Sequence, residues 1–254
     1  MCIRDRHSTL LVRLGDVTFL TDPVWSDTAG PIGLGPKRLV EPGLSLEELP
    51  HVDFAVISHN HYDHMDLDTL DRLGAAGVRI FVPLANRSIL PRKARAVTTE
   101  LDWWQSERVG DATIHCVPAR HWSRRGLFDL NDALWSGWVI ESGDKRFYFA
   151  GDTGMFDGFA TIAERLGPPQ LAAIPIGAYL PREMMAPAHL DPDEAMMAVE
   201  NMAATRSLAV HHGTFVLSDE PIDEPARRYI DASKRSGRGE ELDWVLAIGE
   251  TREW

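Results

Sequence analysis

Short apolar runs with alternating or β-branched residues recur along most of the chain, and this pattern predicts a protein rich in strands. Leu10–Leu14 and Val17–Thr21 flank a Gly-Asp turn, which predicts a hairpin. Further strands are expected at residues 53–57, 78–82, 112–117, 134–141, 145–150, 171–176, 208–210 and 242–248. Helical patterns follow each of two strand-rich halves, so we expect two sheets packed face to face with helices outside.

Helical periodicity and capping signals predict where these helices begin. Three leucines spaced three residues apart and ending at Leu73 give one apolar face to a helix that begins near Asp66. Asp191 and Glu194 have the spacing of a capping box, which predicts a helix through about residue 204. Residues 27–50 are rich in Gly and Pro and predict an irregular loop. Other helices are expected at 84–90, 158–166 and 224–236.

The first six residues differ from the rest of the chain. They show no strand alternation, whereas a structured pattern begins at His7. We expect that residues 1–6 are not native, or that the natural N-terminus is truncated. No Pro- or Ser-rich linker interrupts residues 7–254, which predicts a single domain there.

Composition narrows the functional classes. Of 254 residues, 44% are hydrophobic and 25% charged, which is ordinary for a globular protein, and the net charge of −12 argues against broad nucleic-acid binding. Cys2 and Cys116 cannot form a disulfide framework. No apolar run reaches the roughly 20 residues of a membrane span, and no signal peptide is visible, so a cytoplasmic location is expected.

Residues that can bind a metal ion are concentrated in residues 58–66, Ser-His-Asn-His-Tyr-Asp-His-Met-Asp, directly after a predicted apolar strand. Alternate residues of a strand share a face, so His59 and His61 can point the same way, and Asp63 and His64 follow in the turn. Imidazole and carboxylate are ligands of Zn²⁺ and similar ions. A single histidine at a strand end is usually structural, but four ligand-type side chains in six positions predict a metal site.

Three more ligand-type residues occur at strand ends. His121 comes shortly after a strand, Asp152 follows one in a Gly-Asp-Thr-Gly sequence, and His211 follows another. Each taken alone is more often structural. Their occurrence together with the 59–64 cluster favours a shared metal site.

These residues resemble those of the metallo-β-lactamase superfamily, and several motifs resemble the branch of N-acyl-phosphatidylethanolamine phospholipase D and its bacterial relatives. The motifs are Thr21-Asp22-Pro23-Val24, His121-Trp122-Ser123-x-Arg125, Leu134-Trp135-x-Gly137, Gly151-Asp152-Thr153-Gly154, Pro175-Ile176-Gly177-Ala178-Tyr179 and His211-x-Gly213-Thr214-Phe215. His7-Ser8-Thr9 is similar to an element after the family's first strand. The resemblance implies an α/β fold, a four-layer αβ/βα sandwich that holds two metal ions at the edge of its sheets.

The resemblance also implies a ligand set for two Zn²⁺ ions, with Mn²⁺ or Fe²⁺ left open. One ion would take His59, His61 and His121. The other would take Asp63, His64 and His211, and Asp152 would bridge the two. Ser58, Asp66 and Thr153 are the residues expected to orient these ligands.

Catalytic and substrate-binding residues are expected from the resemblance and from positions next to the proposed site. A metal-bridged hydroxide is the expected nucleophile, held in line by Asp63, and His189 is expected to act as the acid or to contact the substrate. Arg125, Tyr179 and His212 are expected substrate contacts. The alternatives are that His189 bonds a backbone carbonyl, that Arg125 is a solvated loop residue and that Tyr179 belongs to the core. His212 stands where relatives usually have tryptophan, and it either alters the pocket wall or competes with His211 as a ligand.

The favoured function is that of a dinuclear zinc phosphodiesterase acting on a small or lipid-like substrate. The alternative is a lactonase or other carboxyl-ester hydrolase that resembles the ascorbate-phosphate lactonases. A third hypothesis is a metal-binding protein without catalysis. Contact with a membrane surface and a homodimer both remain open.

Overall fold

Two sheets form the centre of the structure, a computed structural model in which residues 1–4 and 7–254 are described. Within those residues each sheet has seven strands. In spatial order the first sheet contains β14 (Thr251–Arg252), β1 (Cys2–Arg4), β2 (Leu10–Leu14), β3 (Val17–Thr21), β4 (Phe54–Val56), β5 (Arg79–Pro83) and β6 (Thr98–Leu101). The second contains β13 (Asp243–Trp244), β12 (Arg206–Val210), β11 (Leu171–Pro175), β10 (Lys145–Phe149), β9 (Gly137–Ser142), β8 (Ala112–Val117) and β7 (Ser106–Val109).

Five of the six helices in the described residues pack on the outer faces of the two sheets. The six are α1 (Leu67–Ala75), α2 (Arg92–Ala96), α3 (Gly158–Leu166), α4 (Arg182–Met185), α5 (Pro192–Asn201) and α6 (Glu224–Arg235), and Pro31–Gly33 and Arg87–Ile89 form 3₁₀ turns. Residues of α1 and α2 pack on the first sheet, and residues of α3, α5 and α6 pack on the second. This is the four-layer αβ/βα sandwich expected from the sequence. No helix of the described ranges has the length and apolar character needed to cross a bilayer, and the cytoplasmic location stays a prediction.

Alternation along the strands separates the inner core from the two outer cores. Leu10 and Val12 of β2 face the core between the sheets, whereas Leu11 faces the helices. In β10 the side chain of Phe147 points inward and that of Tyr148 points outward. Because strand side chains alternate with a period of two, one strand can contribute to two apolar layers.

Strand direction brings distant parts of the chain to one edge. Strands β3 to β6 are parallel, and so are β10 to β13. β8 runs parallel to β10 because both are antiparallel to β9. β2 is antiparallel to β3, so its beginning lies at the edge where β3 ends. The carboxyl ends of β4, β8, β10 and β12 are the positions from which the candidate ligands arise.

Some predicted elements differ from the structure. The helix expected at 84–90 is wrong, because only Arg87–Ile89 forms a 3₁₀ turn and Pro91 separates it from α2. Leu90 has the extended backbone that proline favours in the residue before it. Strands β6 and β7 were not predicted, and the last predicted strand, 242–248, is reduced to Asp243–Trp244.

The N-terminal residues also differ from expectation. Cys2–Arg4 form strand β1, which pairs with both β2 and β14, so the absence of a strand in this stretch was predicted wrongly. Two polar residues at positions 5 and 6 lie outside the described residues. Whether residues 1–6 are native stays a prediction.

The capping box predicted for α5 is present and supports a stability prediction. The Glu194 amide donates to Asp191, and the Asp191 amide donates to Glu194. We expect Asp191→Ala to lower the free energy of unfolding by about 1 kcal/mol, since the side-chain cap of the helix is lost. Urea denaturation measures this change. Asp157→Ala is the matched control, because Asp157 precedes α3 without a side-chain cap bond, and an equal loss in both variants would contradict the prediction.

Candidate metal centre

All seven predicted metal ligands lie together at the edge described above. They come from the segments that follow four strands, β4, β8, β10 and β12. Parallel strands in a sheet end at the same edge, so residues far apart in sequence meet there. The seven are His59, His61, Asp63, His64, His121, Asp152 and His211.

One group consists of three histidines. Nδ1 of His61 lies 2.9 Å from Nε2 of His59 and 3.3 Å from Nε2 of His121. The ligand-type atoms of the three lie within 4.8 Å of one another, a spacing that suits one ion.

A second group lies beside the first. The Asp63 Oδ2 atom is 3.3 Å from Nε2 of His64 and 3.4 Å from Nε2 of His211. His7, which was not predicted as part of the site, joins this group with its Nε2 3.2 Å from the same oxygen. These atoms also lie within 4.8 Å of one another.

Asp152 lies between the two groups. Its Oδ2 is 3.1 Å from Nε2 of His211 and 3.2 Å from Nε2 of His64, which belong to the second group. The same oxygen is 3.9 Å from Nε2 of both His59 and His121 in the first group. Asp152 is therefore the carboxylate that can reach both positions.

Hydrogen bonds behind the cluster orient the imidazoles. Nδ1 of His64 lies 2.6 Å from Asp22, and Nδ1 of His121 lies 3.0 Å from the carbonyl oxygen of Ala188. Ser58 donates to Asp22, so its oxygen can accept from Nδ1 of His59, 2.9 Å away. A carboxylate or a carbonyl only accepts, so the Nδ1 atoms of His64 and His121 are protonated and their Nε2 atoms face the cluster.

The donor set fits a metal ion. Among the described residues, two buried nitrogen atoms that face Asp63 and Asp152 have no hydrogen-bond partner, namely Nε2 of His64 and Nε2 of His211. Buried polar atoms are nearly always bonded, and a cluster of exceptions is typical of an ion site. Nitrogen and carboxylate oxygen are the ligands that Zn²⁺ takes in hydrolases.

Carboxylates and burial act in opposite directions on the pKa values of the cluster's imidazoles. Burial lowers the pKa of His59 and His121 well below the usual value, so both are neutral. For His211, burial lowers the pKa, but Asp152 and Asp63 outweigh it and raise the pKa to about 9. The same carboxylates, with Asp22, raise the pKa of His64 well above the ordinary value against the effect of burial. Two protonated imidazoles therefore face two carboxylates.

Of the three residues expected to orient the ligands, only Ser58 contacts them. Asp66 instead caps α1 and accepts from the amides of residues 25 and 26. Thr153 accepts from the amide of Arg120. Sequence reasoning missed Asp22, although its position at the end of β3, beside the end of β4, is a signal that could have found it.

Backbone geometry at Gly177 lets the segments that follow the neighbouring strands β11 and β12 approach each other. A Cβ atom there would collide with the carbonyl oxygen of His211. His211 itself has a left-handed backbone, with φ of 59°, and its amide donates to the carbonyl of His7. The glycine therefore permits the turn that directs His211 into the cluster.

A cavity of about 290 Å³ opens onto the cluster. Asp63, Asp152 and His189 contribute polar groups to its wall, and Trp122 and Met185 contribute apolar ones. His189 is largely buried, and its Nδ1 lies 3.9 Å from Oδ2 of Asp152. Burial lowers the pKa of His189 to about 4. A substrate in this cavity would therefore contact the candidate metal ligands.

The other predicted substrate contacts do not line this cavity. Arg125 stacks on Tyr62 and donates to the carbonyls of Asn60 and Met65, so its charge is used to hold the histidine loop. It borders a neighbouring groove of about 880 Å³ instead.

Tyr179 and His212 also point elsewhere. Tyr179 is fully buried, and its hydroxyl donates to Glu224. His212 is buried beside a small separate cavity and is absent from the groups of possible metal ligands in the described chain. Its carbonyl accepts from Arg4, which fixes the backbone of this turn. The structure therefore gives all three residues packing or hydrogen-bonding contacts away from the cluster's mouth.

The sandwich and its edge cluster together define the class of metal-dependent hydrolases with an αβ/βα fold. The profile of the Beta-lactamase superfamily domain matches residues 18–212. The chain belongs to the metallo-β-lactamase superfamily.

Known proteins with similar sequences or folds agree with this membership. The chain is 45% identical over 222 residues to the N-acyl-phosphatidylethanolamine-hydrolyzing phospholipase D 1 of Caenorhabditis elegans, covering 82% of this chain and 62% of that protein. It is 28% identical to a metal-dependent hydrolase of Solibacter usitatus, covering 82% and 84% of the two chains. The fold is similar to that of a possible metal-dependent hydrolase from Veillonella parvula, with a TM-score of 0.76, 19% identity, and coverage of 98% and 97%. The chain thus spans about three fifths of the length of the phospholipase.

Proton release should accompany metal binding. His64 and His211 carry protons without metal, and a metal binds only the deprotonated ring, so we expect zinc to displace about two protons at pH 6.5. Fewer should be released at pH 9, because His211 has lost part of its proton as the pH rises to its pKa of about 9. Titration calorimetry in buffers of different ionisation enthalpy measures the release. Equal proton release at the two pH values would contradict the raised pKa of His211.

Proposed function

We propose that the chain is a dinuclear zinc hydrolase that cleaves phosphodiesters. The observation that carries the proposal is the position of Asp152, whose Oδ2 lies between a group of three histidines and a group of Asp63, His64 and His211. His59, His61 and His121 would hold one ion, the second group would hold the other, and Asp152 would serve both. The similarity to a phospholipase D supports the choice of phosphodiesters.

When bound, two zinc ions would polarise the phosphoryl group and lower the pKa of the attacking water. Asp63 lines the cavity and is partly accessible, so its carboxylate can accept a hydrogen bond from that water. His189 lies on the same wall and can donate an N–H to an oxygen of the substrate. Its backbone is held on both sides, since its amide donates to Met185 and its carbonyl accepts from Arg182.

The charge of the cavity supports a diester over a monoester. Among the described residues that line the cavity, none is lysine or arginine. A phosphomonoester carries close to two negative charges at neutral pH, and a diester carries one, so the diester requires less compensation beyond the ions. Trp122 and Met185 offer apolar surface to a leaving group. The same lining also suits an uncharged ester, which favours a lactonase as the second candidate.

Zinc-loaded protein should therefore hydrolyse bis-p-nitrophenyl phosphate faster than p-nitrophenyl phosphate or a panel of lactones. Asp152→Ala should lower the diester rate about 100-fold or more, since metal ions supply several kcal/mol of transition-state stabilisation. Steady-state kinetics with matched zinc loading measures these rates. A clear preference for lactones would overturn the proposed phosphodiesterase activity. If the protein binds two ions but turns over none of these substrates, the result would favour a metal-binding protein without catalysis.

His189 should affect catalysis without affecting metal content. We expect His189→Ala to lower kcat/KM for the diester about 100-fold, the effect of removing one donor to developing charge. Metal analysis should find the wild-type zinc stoichiometry in this variant. His51→Ala, at an exposed histidine far from the cavity lining, is the control. Loss of zinc from the His189 variant would instead identify this residue as a ligand.

A further inference from the structure

His7 is a buried histidine beside the second ligand group, and the ligand set proposed above leaves it without a role. We propose that His7 is a positioning residue for the second metal position, which it shapes by holding Asp63 with its side chain and His211 with its backbone. The inference rests on the proposed two-metal site, and it concerns the order and affinity of metal binding rather than the reaction.

The side chain of His7 can only donate to Asp63. Its Nε2 lies 3.2 Å from the Asp63 Oδ2 atom, and an ionised carboxylate has no proton to offer. The contacts of Nε2 distinguish His7 from the histidines of the second group. Nε2 of His64 and Nε2 of His211 each lie near both Asp63 and Asp152, whereas Nε2 of His7 is paired with Asp63.

Packing keeps the His7 ring in place. Its centre lies 4.1 Å from the ring of His211 and 5.3 Å from the ring of Phe215. The residue is 1% exposed, so it has almost no room for another rotamer. The hydrogen bond to Asp63 is thus directed by rigid neighbours, which is the condition for one group to orient another.

The backbone of His7 joins the ends of two sheets. Its carbonyl accepts from the amide of His211 at 2.8 Å, and its own amide donates to the Thr214 hydroxyl at 2.8 Å. His7 precedes β2 in the first sheet, whereas His211 and Thr214 follow β12 in the second. The left-handed backbone of His211 is therefore fixed by a residue on the opposite side of the sandwich.

Because His7 contacts the second ligand group, we expect it to affect the binding of the second metal ion and not that of the first. Asp63, His64 and His211 form the second group, and they are the ligand-type residues within 4.8 Å of His7. Two histidines of the first group are oriented by other residues, His59 by Ser58 and His121 by the carbonyl of Ala188. Loss of the His7 side chain should therefore lower the affinity for the second ion and leave the affinity for the first unchanged.

Two polar variants of His7 test whether the hydrogen bond to Asp63 is what matters, because one side chain is long enough to make it and the other is not. Glutamine can place an amide nitrogen near the position of Nε2 and donate to Asp63, whereas the shorter asparagine cannot reach it. We expect His7→Asn to weaken the second zinc equivalent 10–100-fold, the usual effect of losing a group that orients a ligand. His7→Gln should recover most of that affinity, and the first equivalent should be unchanged in both. His115→Asn is the matched control, since Nε2 of His115 bonds Glu141 at 2.9 Å away from the cluster.

Zinc titration against a competing chelator measures both affinities, and the visible spectrum of the Co²⁺-loaded protein reports the coordination. The proposal expects a wild-type Co²⁺ spectrum from His7→Gln. It is overturned if both His7 variants lose the second ion or change the spectrum, because His7 would then be a ligand. It is also overturned if both affinities fall together, or if His7→Asn binds both ions as the wild type does. A wild-type chain that binds one ion refutes the two-metal site itself, before any variant is compared.

Discussion

The rest of the site depends on the burial of two carboxylates, Asp63 and Asp152, among imidazoles. Burial by itself would raise the pKa of each, yet the surrounding histidines hold both pKa values well below the usual range. An unpaired buried charge costs several kcal/mol. The carboxylates and the histidines therefore stabilise one another only when all are in place. Because they come from four strand ends, the cluster requires both sheets to be packed.

The fold confines such a cluster to one edge. Strand alternation fills three layers with apolar side chains, as in β10, where Phe147 faces one layer and Tyr148 another. Most side chains within those layers are apolar, whereas the residue after a strand is free of the alternation. Parallel strands end together, so the cluster forms where the backbone leaves the sheets. Gly177 then allows the turn at His211 to come close enough to complete the group.

Local sequence patterns predicted the strands and the ligand residues at their ends. They did not predict the direction of individual side chains or the contacts between residues that are far apart in sequence. A run of apolar residues that ends in histidine predicts both a strand and a side chain at its edge, which is why His59 and its neighbours were placed together with Asp152. The roles of Asp22 and His7 arise from pairing between strands, which no local pattern records. Arg125 was placed on the correct loop, but the loop alone does not show that its guanidinium turns back to Tyr62. Tyr179 is a similar case, because burial rather than position decides where its hydroxyl points.

Contacts behind the ligands fix the orientation of the imidazoles with protein groups alone. Asp22 and the Ala188 carbonyl hold two imidazoles with Nε2 toward the cluster, and neither contact involves an ion. The neighbouring carboxylates raise the pKa of both His64 and His211, so a bound cation would displace protons from these rings. Affinity in such a site is governed by pH and by the groups that fix the ligands, so the residues behind the cluster matter as much as the ligands themselves.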